Sequence, residues 1–189
     1  MRRRTELRGE ILSAARAEFA QYGLAGARID RIARNAQASK ERLYAHFGDK
    51  ETLFREVVAD DTAEFFAAIN LHHSNIAEFV GDVYDVARNH PAHVRMITWA
   101  RLEGFTLDEP TADGRPVFAD TIAAVRAAQA AGAVDPWWEP ATLIIILVGI
   151  GLAWANSPDP SSAAGDGTVV ARRRAAAVEA AGRIIATRR

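Results

Sequence analysis

Residues 28 to 48 read RIDRIARNAQASKERLYAHFG, and this segment contains two short helical patterns. The first pattern covers residues 28 to 36, and the second follows Ser39, a residue type that caps helix N-termini. Only residues 37 and 38 connect them, and Gly48 ends the second. Two short helices joined by a tight turn predict a helix-turn-helix, whose second helix can enter the major groove of DNA.

The apolar spacing predicts which face of each helix is buried. The inward residues would be Ile29, Ile32, Ala33, Leu43 and Phe47. The outer and leading faces would carry Ser39, Lys40, Arg42 and Tyr44, although Tyr44 could instead be a core residue. We expect this outer surface to attract phosphate, because helix N-termini and cationic side chains favour anions.

The charge of the chain is distributed unevenly. Residues 1 to 50 hold 11 Lys+Arg and 6 Asp+Glu, a net charge of +5, whereas residues 51 to 189 hold 12 and 18, a net charge of −6. The only two lysines, Lys40 and Lys50, lie in the basic part. This asymmetry indicates an anionic partner for the first segment, and chance together with a solvated arginine tail is the alternative.

Composition excludes several classes of protein. The 189 residues include no cysteine, which excludes disulfides, iron–sulfur clusters and thiol catalysis and is compatible with the cytoplasm. The longest apolar run, residues 141 to 155, is shorter than the roughly 20 residues that span a bilayer, so we expect a buried helix and no membrane partner. The first residues lack the continuous apolar stretch of a secretory signal.

The remaining patterns are helical, and no alternating strand pattern is present. We predict an all-α fold of about nine helices, with a three-helix N-terminal domain at residues 1–50 and a larger helical domain at residues 51–189. The predicted helices cover residues 6–22, 28–36, 39–47, 50–71, 75–89, 91–105, 115–132, 138–154 and 168–187.

A longer stretch around the two helices matches a known family. Residues 11 to 58 read ILSAARAEFAQYGLAGARIDRIARNAQASKERLYAHFGDKETLFREVV, which resembles the N-terminal domain of TetR-type transcriptional regulators. The residues that carry the resemblance are Ile11, Ala14, Ala15, Phe19, Gly23, Ile32, Ala33, Ala36, Ser39, Lys40, Leu43, Tyr44, His46, Phe47, Lys50, Leu53 and Phe54.

The resemblance implies a bacterial, cytoplasmic regulator that binds double-stranded DNA at a palindromic operator as a homodimer. A small-molecule effector would release the repressor from the operator; the alternative is a ligand-independent or partner-regulated DNA binder with the same N-terminal domain. No cofactor and no enzymatic activity are implied, and the sequence contains no recognisable catalytic or phosphate-loop motif.

The resemblance also implies roles for individual residues. The predicted DNA-binding residues are Arg28, Ser39, Lys40, Glu41, Arg42, Tyr44, His46 and Lys50. Lys40 and Tyr44 would touch phosphate or base edges, and His46 and Lys50 the DNA backbone. Arg42 would read a guanine, because arginine binds guanine O6 and N7 in a bidentate manner.

The segment departs from the family pattern at three places. Gln37 replaces a turn glycine, so the turn is either strained or differently shaped. Ala27 and Arg28 replace a Thr/Ser pair, which removes a helix cap. Glu41 replaces another glycine, and its carboxylate would either accept a hydrogen bond from cytosine N4 or orient Arg42 or Arg28.

For the helical body the resemblance implies a ligand pocket and a dimer interface formed by the last two helices. The candidate pocket residues are Phe65, Phe66, Ile69, Tyr84, Met96, Trp99, Phe105 and Phe118, and plain core packing is the alternative for each. The candidate dimer residues are Ile145, Val148, Gly149, Leu152, Val178, Ala181 and Ile185. We predict no metal site, because no histidine pair has the i, i+4 spacing of a helical site.

Overall fold

The structure, a computed structural model, describes residues 4–69, 75–105, 111–112, 115–116, 118–158 and 165–187. Within these ranges the chain forms nine α-helices, so the predicted all-α fold is confirmed. The helices are α1 (Arg4–Gly26), α2 (Ile29–Asn35), α3 (Lys40–Phe47), α4 (Lys50–Ala67), α5 (Ile76–Asn89), α6 (Pro91–Leu102), α7 (Ala119–Ala130), α8 (Pro140–Gly151) and α9 (Gly167–Ile185).

The helix ends follow the local signals of the sequence. The Ser39 hydroxyl accepts a hydrogen bond from the Arg42 amide at the start of α3. Asp49 caps α4 by accepting the Thr52 amide at 2.7 Å. The carboxylate of Asp166 accepts two amides in the first turn of α9. Because such caps satisfy amides that have no partner within the helix, they fix where each helix begins.

The segment before α7 differs from the predicted helix at residues 115–132. Thr111–Ala112 (β1) and Arg115–Pro116 (β2) form a two-residue antiparallel ladder, and α7 begins only at Ala119. A proline biases the preceding residue towards the extended conformation, which accounts for Arg115 in a strand. Five predicted C-terminal ends also lay two to four residues too far along the chain, since the observed ends are Ala67 for α4, Leu102 for α6, Ala130 for α7, Gly151 for α8 and Ile185 for α9.

The chain packs into two compact units. Unit 1 comprises Met1–Glu64 and Ala92–Pro110, and unit 2 comprises Phe65–Pro91 and Thr111–Arg189. Helix α6 therefore packs with the N-terminal helices, a different division from a single boundary near residue 50. The assignment of DNA binding to residues 1–50 and of ligand binding and dimerisation to residues 51–189 stays a prediction.

The core of unit 1 is built around aromatic rings from α1 and α4. The rings of Phe19 and Phe54 meet edge to face with centroids 5.0 Å apart, and Phe105 lies 5.1 Å from Phe54. Gly23, at φ 66°, interrupts α1 where the ring of Trp99 approaches; a Cβ atom at Gly23 would lie 2.7 Å from that ring. The close approach and the positive φ together require glycine here.

A buried polar network joins three helices of unit 1. Asp61 of α4 lies 2.5 Å from Nδ1 of His93 on α6 and 3.0 Å from Nε of Arg16 on α1. Arg16 also pairs with Glu64 at 2.9 Å. Asp61 and His93 are both buried, so their polar atoms depend on these partners in place of water.

Helix α5 is the centre of unit 2 and packs against α7, α8 and α9. The Arg174 guanidinium of α9 reaches three carboxylates of α5, with its Nε 2.7 Å from Asp85, and it lies over Gly81. On the other side, Gly151 of α8 allows close approach: a Cβ there would lie 2.5 Å from Val83. Two glycines thus allow the close packing of α5: Gly81 against the Arg174 side chain of α9, and Gly151 of α8 against Val83.

Helix α8 carries the longest apolar run of the chain. Its residues Leu143, Ile144 and Leu147 are buried, as expected for a core helix. Among the described residues, no helix combines the length and apolar character needed to cross a membrane.

Replacement of Gly151 by alanine should destabilise the protein. We expect Gly151→Ala to lower the free energy of unfolding by about 1–3 kcal/mol, because the added methyl group overpacks the α5–α8 contact. The matched control is Gly9→Ala on α1, where a Cβ meets nothing within 4 Å. That exposed change should instead stabilise by about 0.5–1 kcal/mol through helix propensity. Urea unfolding measures both, and equal stabilisation by the two variants would contradict the described packing.

Candidate nucleic-acid interface

The turn between α2 and α3 keeps a left-handed residue although it has no glycine. Gln37 has φ 50°, so the strained alternative is the one adopted, at a cost of about 1 kcal/mol. The Ala38 amide donates to the Ala33 carbonyl at 2.8 Å, and the Gln37 amide donates to Arg34 at 3.1 Å. These two bonds form a Schellman cap, which satisfies carbonyls at the end of α2 and turns the chain towards α3.

Helix α3 has one buried and one exposed face. Leu43 and Phe47 are buried in the core of unit 1, as predicted. The exposed face carries Lys40, Glu41, Arg42 and Tyr44. Tyr44 is 44% exposed, so its ring is available to a partner, whereas His46 is half-buried with its ring centroid 6.0 Å from that of Phe47.

Two carboxylates lie at the leading end of α3. The Lys40 ammonium is 2.6 Å from Oδ1 of Asp30 in the first turn of α2. Hydrogen bonds from its own backbone amide and from the Ser39 hydroxyl lower the pKa of the Glu41 carboxyl. The described contacts of the Glu41 carboxylate are therefore with groups at the start of α3. Its recognition of cytosine stays a prediction.

A buried carboxylate replaces the missing cap of α2. Arg28 is the N-cap residue and its side chain makes no capping bond, as the loss of the Thr/Ser pair predicts. Its amide instead donates to Oε1 of Glu18 at 2.8 Å, and Nε of Arg31 donates to the same oxygen at 2.8 Å. Burial raises the pKa of Glu18, but the hydrogen bonds from Arg31 and Arg28 outweigh it and hold the pKa below its usual range.

The cation at the start of α4 lies against the connection between α1 and α2. Nζ of Lys50 donates to the Ala27 carbonyl at 3.3 Å, and its side chain is half-buried. The Arg28 side chain is exposed. Unit 1 thus brings Arg28, Lys40 and Lys50 to the ends of three successive helices, where anions are favoured.

The candidate pocket residues fall into two groups. Phe65, Phe66 and Phe118 come together in unit 2. The ring centroid of Phe66 lies 5.3 Å from that of Phe65 and 4.6 Å from that of Phe118. The other two members from unit 2 are the buried Ile69 and Tyr84, and the Tyr84 ring packs on Trp154 at 5.5 Å.

The remaining pocket candidates belong to unit 1. Met96 is fully buried there, and Trp99 and Phe105 pack against the same core. Phe105 also lies beneath the Arg55 guanidinium, 4.4 Å from its ring centroid. These three side chains are engaged in core packing, so no contact described in unit 1 assigns them to a ligand.

The candidate dimer residues of α8 and α9 differ in exposure. Ile145 is 73% exposed and Gly149 is exposed, with Val148, Leu152 and Val178 half-buried. Ala181 and Ile185, in contrast, are buried within the single chain. Most of their surface is thus already covered by their own chain, and their assignment to a dimer surface stays a prediction.

The histidines form no metal cluster in the ranges that the structure describes. His93 pairs with Asp61, and His90 is exposed after the end of α5. His72 and His73, which the sequence places next to each other, lie outside the described residues.

Sequence reasoning missed two acidic residues that hold this surface together, the buried Glu18 and the exposed Asp30. Glu18 follows Ala15 by three positions on the apolar stripe of α1, and a charged residue on a buried stripe is a signal that could have found it. Asp30 carries no such signal, because its pairing with Lys40 arises only when α2 and α3 pack together.

Loss of the Glu18 charge should destabilise the protein in a pH-dependent way. We expect Glu18→Gln to lower the free energy of unfolding by about 1–3 kcal/mol at pH 7, because a charged hydrogen-bond partner is lost inside the protein. The folded-state pKa is lowered, so the advantage of the wild type exists above the unfolded pKa of about 4.3 and disappears as the pH falls through the folded pKa.

Urea unfolding of both proteins between pH 7 and pH 3 measures this effect. Glu10→Gln, an exposed change on the same helix, is the control and should alter stability little at any pH. A wild-type advantage over Glu18→Gln that does not shrink at low pH would contradict the assigned role of the carboxylate.

Both parts of the chain are similar to known proteins of one family. A family profile described as "Bacterial regulatory proteins, tetR family" matches residues 11–57, and one described as "Tetracyclin repressor-like, C-terminal domain" matches residues 75–183. The chain is 33% identical over 142 residues to the HTH-type transcriptional repressor SCO4008 of Streptomyces coelicolor, covering 75% of this chain and 74% of that protein.

Two further relatives extend the similarity. The HTH-type transcriptional regulator RutR of Escherichia coli K12 is 28% identical over 155 residues, covering 78% of this chain and 70% of RutR. The crystal structure of SCO4942, a transcriptional regulator from Streptomyces coelicolor, aligns with a TM-score of 0.78 and 37% identity over 94% of this chain and 97% of that one. The chain belongs to the TetR family of bacterial helix-turn-helix proteins and is a DNA-binding transcriptional regulator, not an enzyme.

Proposed function

We propose that the protein is a repressor that binds a palindromic operator as a homodimer and leaves it when a small molecule binds to the helical body. The observation that carries the DNA-binding part is the division of α3 into a buried face with Leu43 and Phe47 and an exposed face with Arg42 and Tyr44. A helix held in this way presents side chains to the major groove. Operator DNA lies in the bacterial cytoplasm, and we place the protein there.

The exposed side chains take different roles in this proposal. Arg42 reads a guanine, since its guanidinium can reach O6 and N7 together. Lys40, Lys50 and Arg28 bind phosphates, which position the domain without reading sequence. Ser39, Tyr44 and His46 add contacts to the DNA backbone or to base edges near them, and Glu41 contacts a cytosine N4 or the end of its own helix.

The exposed apolar residues of α8 support a homodimer. Ile145 is 73% exposed on a helix whose other face is buried against its own chain, and Gly149 lies one turn further on. An isolated monomer would leave this apolar surface in water. A two-fold contact between copies of α8 and α9 would cover it and would give the pair of recognition helices that a palindrome needs.

The effector part of the proposal concerns unit 2. The aromatic group of Phe65, Phe66 and Phe118 supports an apolar ligand site, because ligand pockets are lined mainly by apolar and aromatic side chains. Ligand binding would change the separation of the two recognition helices, which must match successive major grooves about 34 Å apart. An operator footprint that no candidate small molecule alters would count against release by a ligand and favour the ligand-independent alternative.

Replacement of Arg42 should relax sequence recognition. We expect Arg42→Ala to cost about 1–3 kcal/mol in operator binding and to remove the preference for guanine at one position of each half-site. Selection of bound duplexes from a random pool, with wild type and variant in parallel, measures the preference. Lys50→Ala is the comparison variant and should weaken all sequences alike. If Arg42→Ala also weakens every sequence equally, arginine does not read a base.

Replacement of Ile145 by a charged residue should weaken dimerisation without unfolding the chain. We expect Ile145→Arg to shift the protein towards monomer and to reduce operator affinity at least tenfold, because a charge would be buried between the copies. Leu102→Arg is a matched control, since Leu102 is also 73% exposed but lies on α6. Sedimentation equilibrium and operator binding measure both variants, and a dimer unaffected by Ile145→Arg would exclude this surface.

A further inference from the structure

The ion pair between Asp30 and Lys40 lies within the proposed DNA-binding surface. Asp30 is in the first turn of α2 and Lys40 is in the first turn of α3, and their charged atoms are 2.6 Å apart. The two side chains are 59% and 53% exposed, so DNA can reach both of them. Lys40, one of only two lysines in the chain, is therefore already paired before any phosphate arrives.

The surroundings of Asp30 are positively charged. A hydrogen bond from Lys40, together with the nearby charges of Arg34 and Arg28, lowers the pKa of the Asp30 carboxyl. The same hydrogen bond also raises the pKa of the Lys40 ammonium group. Both groups consequently stay ionised at neutral pH, and the Asp30 carboxylate lies near the three cations Arg28, Arg34 and Lys40.

Stability does not account for this arrangement. An ion pair between two side chains that are more than half exposed contributes little to folding, because water and salt screen it. The pair does alter binding to DNA. A phosphate that approaches Lys40 has to displace a carboxylate, or else remain next to a like charge.

We propose that Asp30 competes with DNA phosphates for Lys40 and thereby sets the sequence-independent part of the affinity for DNA. This proposal rests on the proposed function, in which Lys40 binds phosphate. Phosphate contacts carry no sequence information, so a weakened contact leaves base reading by Arg42 intact while lowering the affinity for every duplex. Asp30 thus lowers the affinity of the protein for the many non-operator sites of a genome.

The test measures binding of wild type, Asp30→Asn, Lys40→Ala and the double variant to a random-sequence duplex and to a selected operator duplex over a range of salt concentrations. Release of Lys40 turns a weakened phosphate contact into a full one, which steepens the slope of log K against log salt by up to about 0.9 and raises affinity by up to roughly eightfold at 0.1 M salt. We expect this gain for Asp30→Asn on both duplexes. In the Lys40→Ala background the same substitution should have no effect.

The control is Glu179→Gln on α9, which removes one negative charge from another exposed ion pair, that of Glu179 with Arg183 at 2.9 Å. It should leave the salt slope unchanged. Circular dichroism and the oligomeric state verify that each variant keeps its fold and assembly.

Three results would overturn the proposal. An unchanged slope in Asp30→Asn would mean that Asp30 does not occupy Lys40. A gain that persists in the Lys40→Ala background would mean general repulsion of DNA by Asp30. A loss of affinity would mean that Asp30 presents Lys40 to the phosphate. Absence of DNA binding by the wild type would instead refute the proposed function itself, and the two failures are therefore distinguishable.

Discussion

The proposed DNA-binding surface depends on the burial of one face of two helices that are too short to be stable alone. Helices α2 and α3 have seven and eight residues, well below the roughly 12–15 residues at which isolated helices become marginally stable. Ile32, Leu43 and Phe47, all buried in one core, supply the missing stability. The Schellman cap at Gln37 then sets the angle at which α3 leaves α2. Every exposed side chain of α3 takes its position from these few contacts.

Acidic residues control the charge of this basic segment. Residues 1 to 50 have a net charge of +5, and the carboxylates among them differ in their burial and in their contacts. Glu18 is buried and closes the start of α2, whereas Asp30 in the first turn of α2 and Glu41 in the first turn of α3 are exposed. The buried carboxylate contributes to folding because water cannot replace its partners. The exposed pair of Asp30 and Lys40 exchanges readily with solvent and ions, so its effect falls on binding.

Much of the fold could be predicted from local sequence. The caps at Ser39 and Asp49, the break at Gly23 and the inward positions of Leu43 and Phe47 are consequences of short-range chemistry and periodicity. What could not be predicted depends on packing between distant segments. Periodicity marks Ala181 as apolar, but it does not say whether its own chain or a second copy covers it.

The same limit applies to the candidate site. Residue type and spacing placed Lys40, Arg42 and Tyr44 on an exposed face, which the structure bears out. The partner of Lys40 lies ten residues earlier in another helix, and only the angle between α2 and α3 brings it within 2.6 Å. The pocket candidates depend on packing in the same way: apolar character groups Met96 and Trp99 with the other candidates, and only the structure shows that α6 packs them against the N-terminal helices.

Helix α8 has two apolar faces, one packed against α5 within the chain and the other exposed. Gly151 faces α5 so closely that a single methyl group has no room, whereas Gly149, two residues earlier, has open space around it. Two residues along a helix correspond to a rotation of about 200°, so the two glycines lie on opposite faces. The inward face is fixed by packing within the chain, and Ile145 and Gly149 on the outward face are free to change without disturbing that packing. In the proposed homodimer, substitutions on the outward face would therefore alter the contact between copies while unit 2 keeps its core.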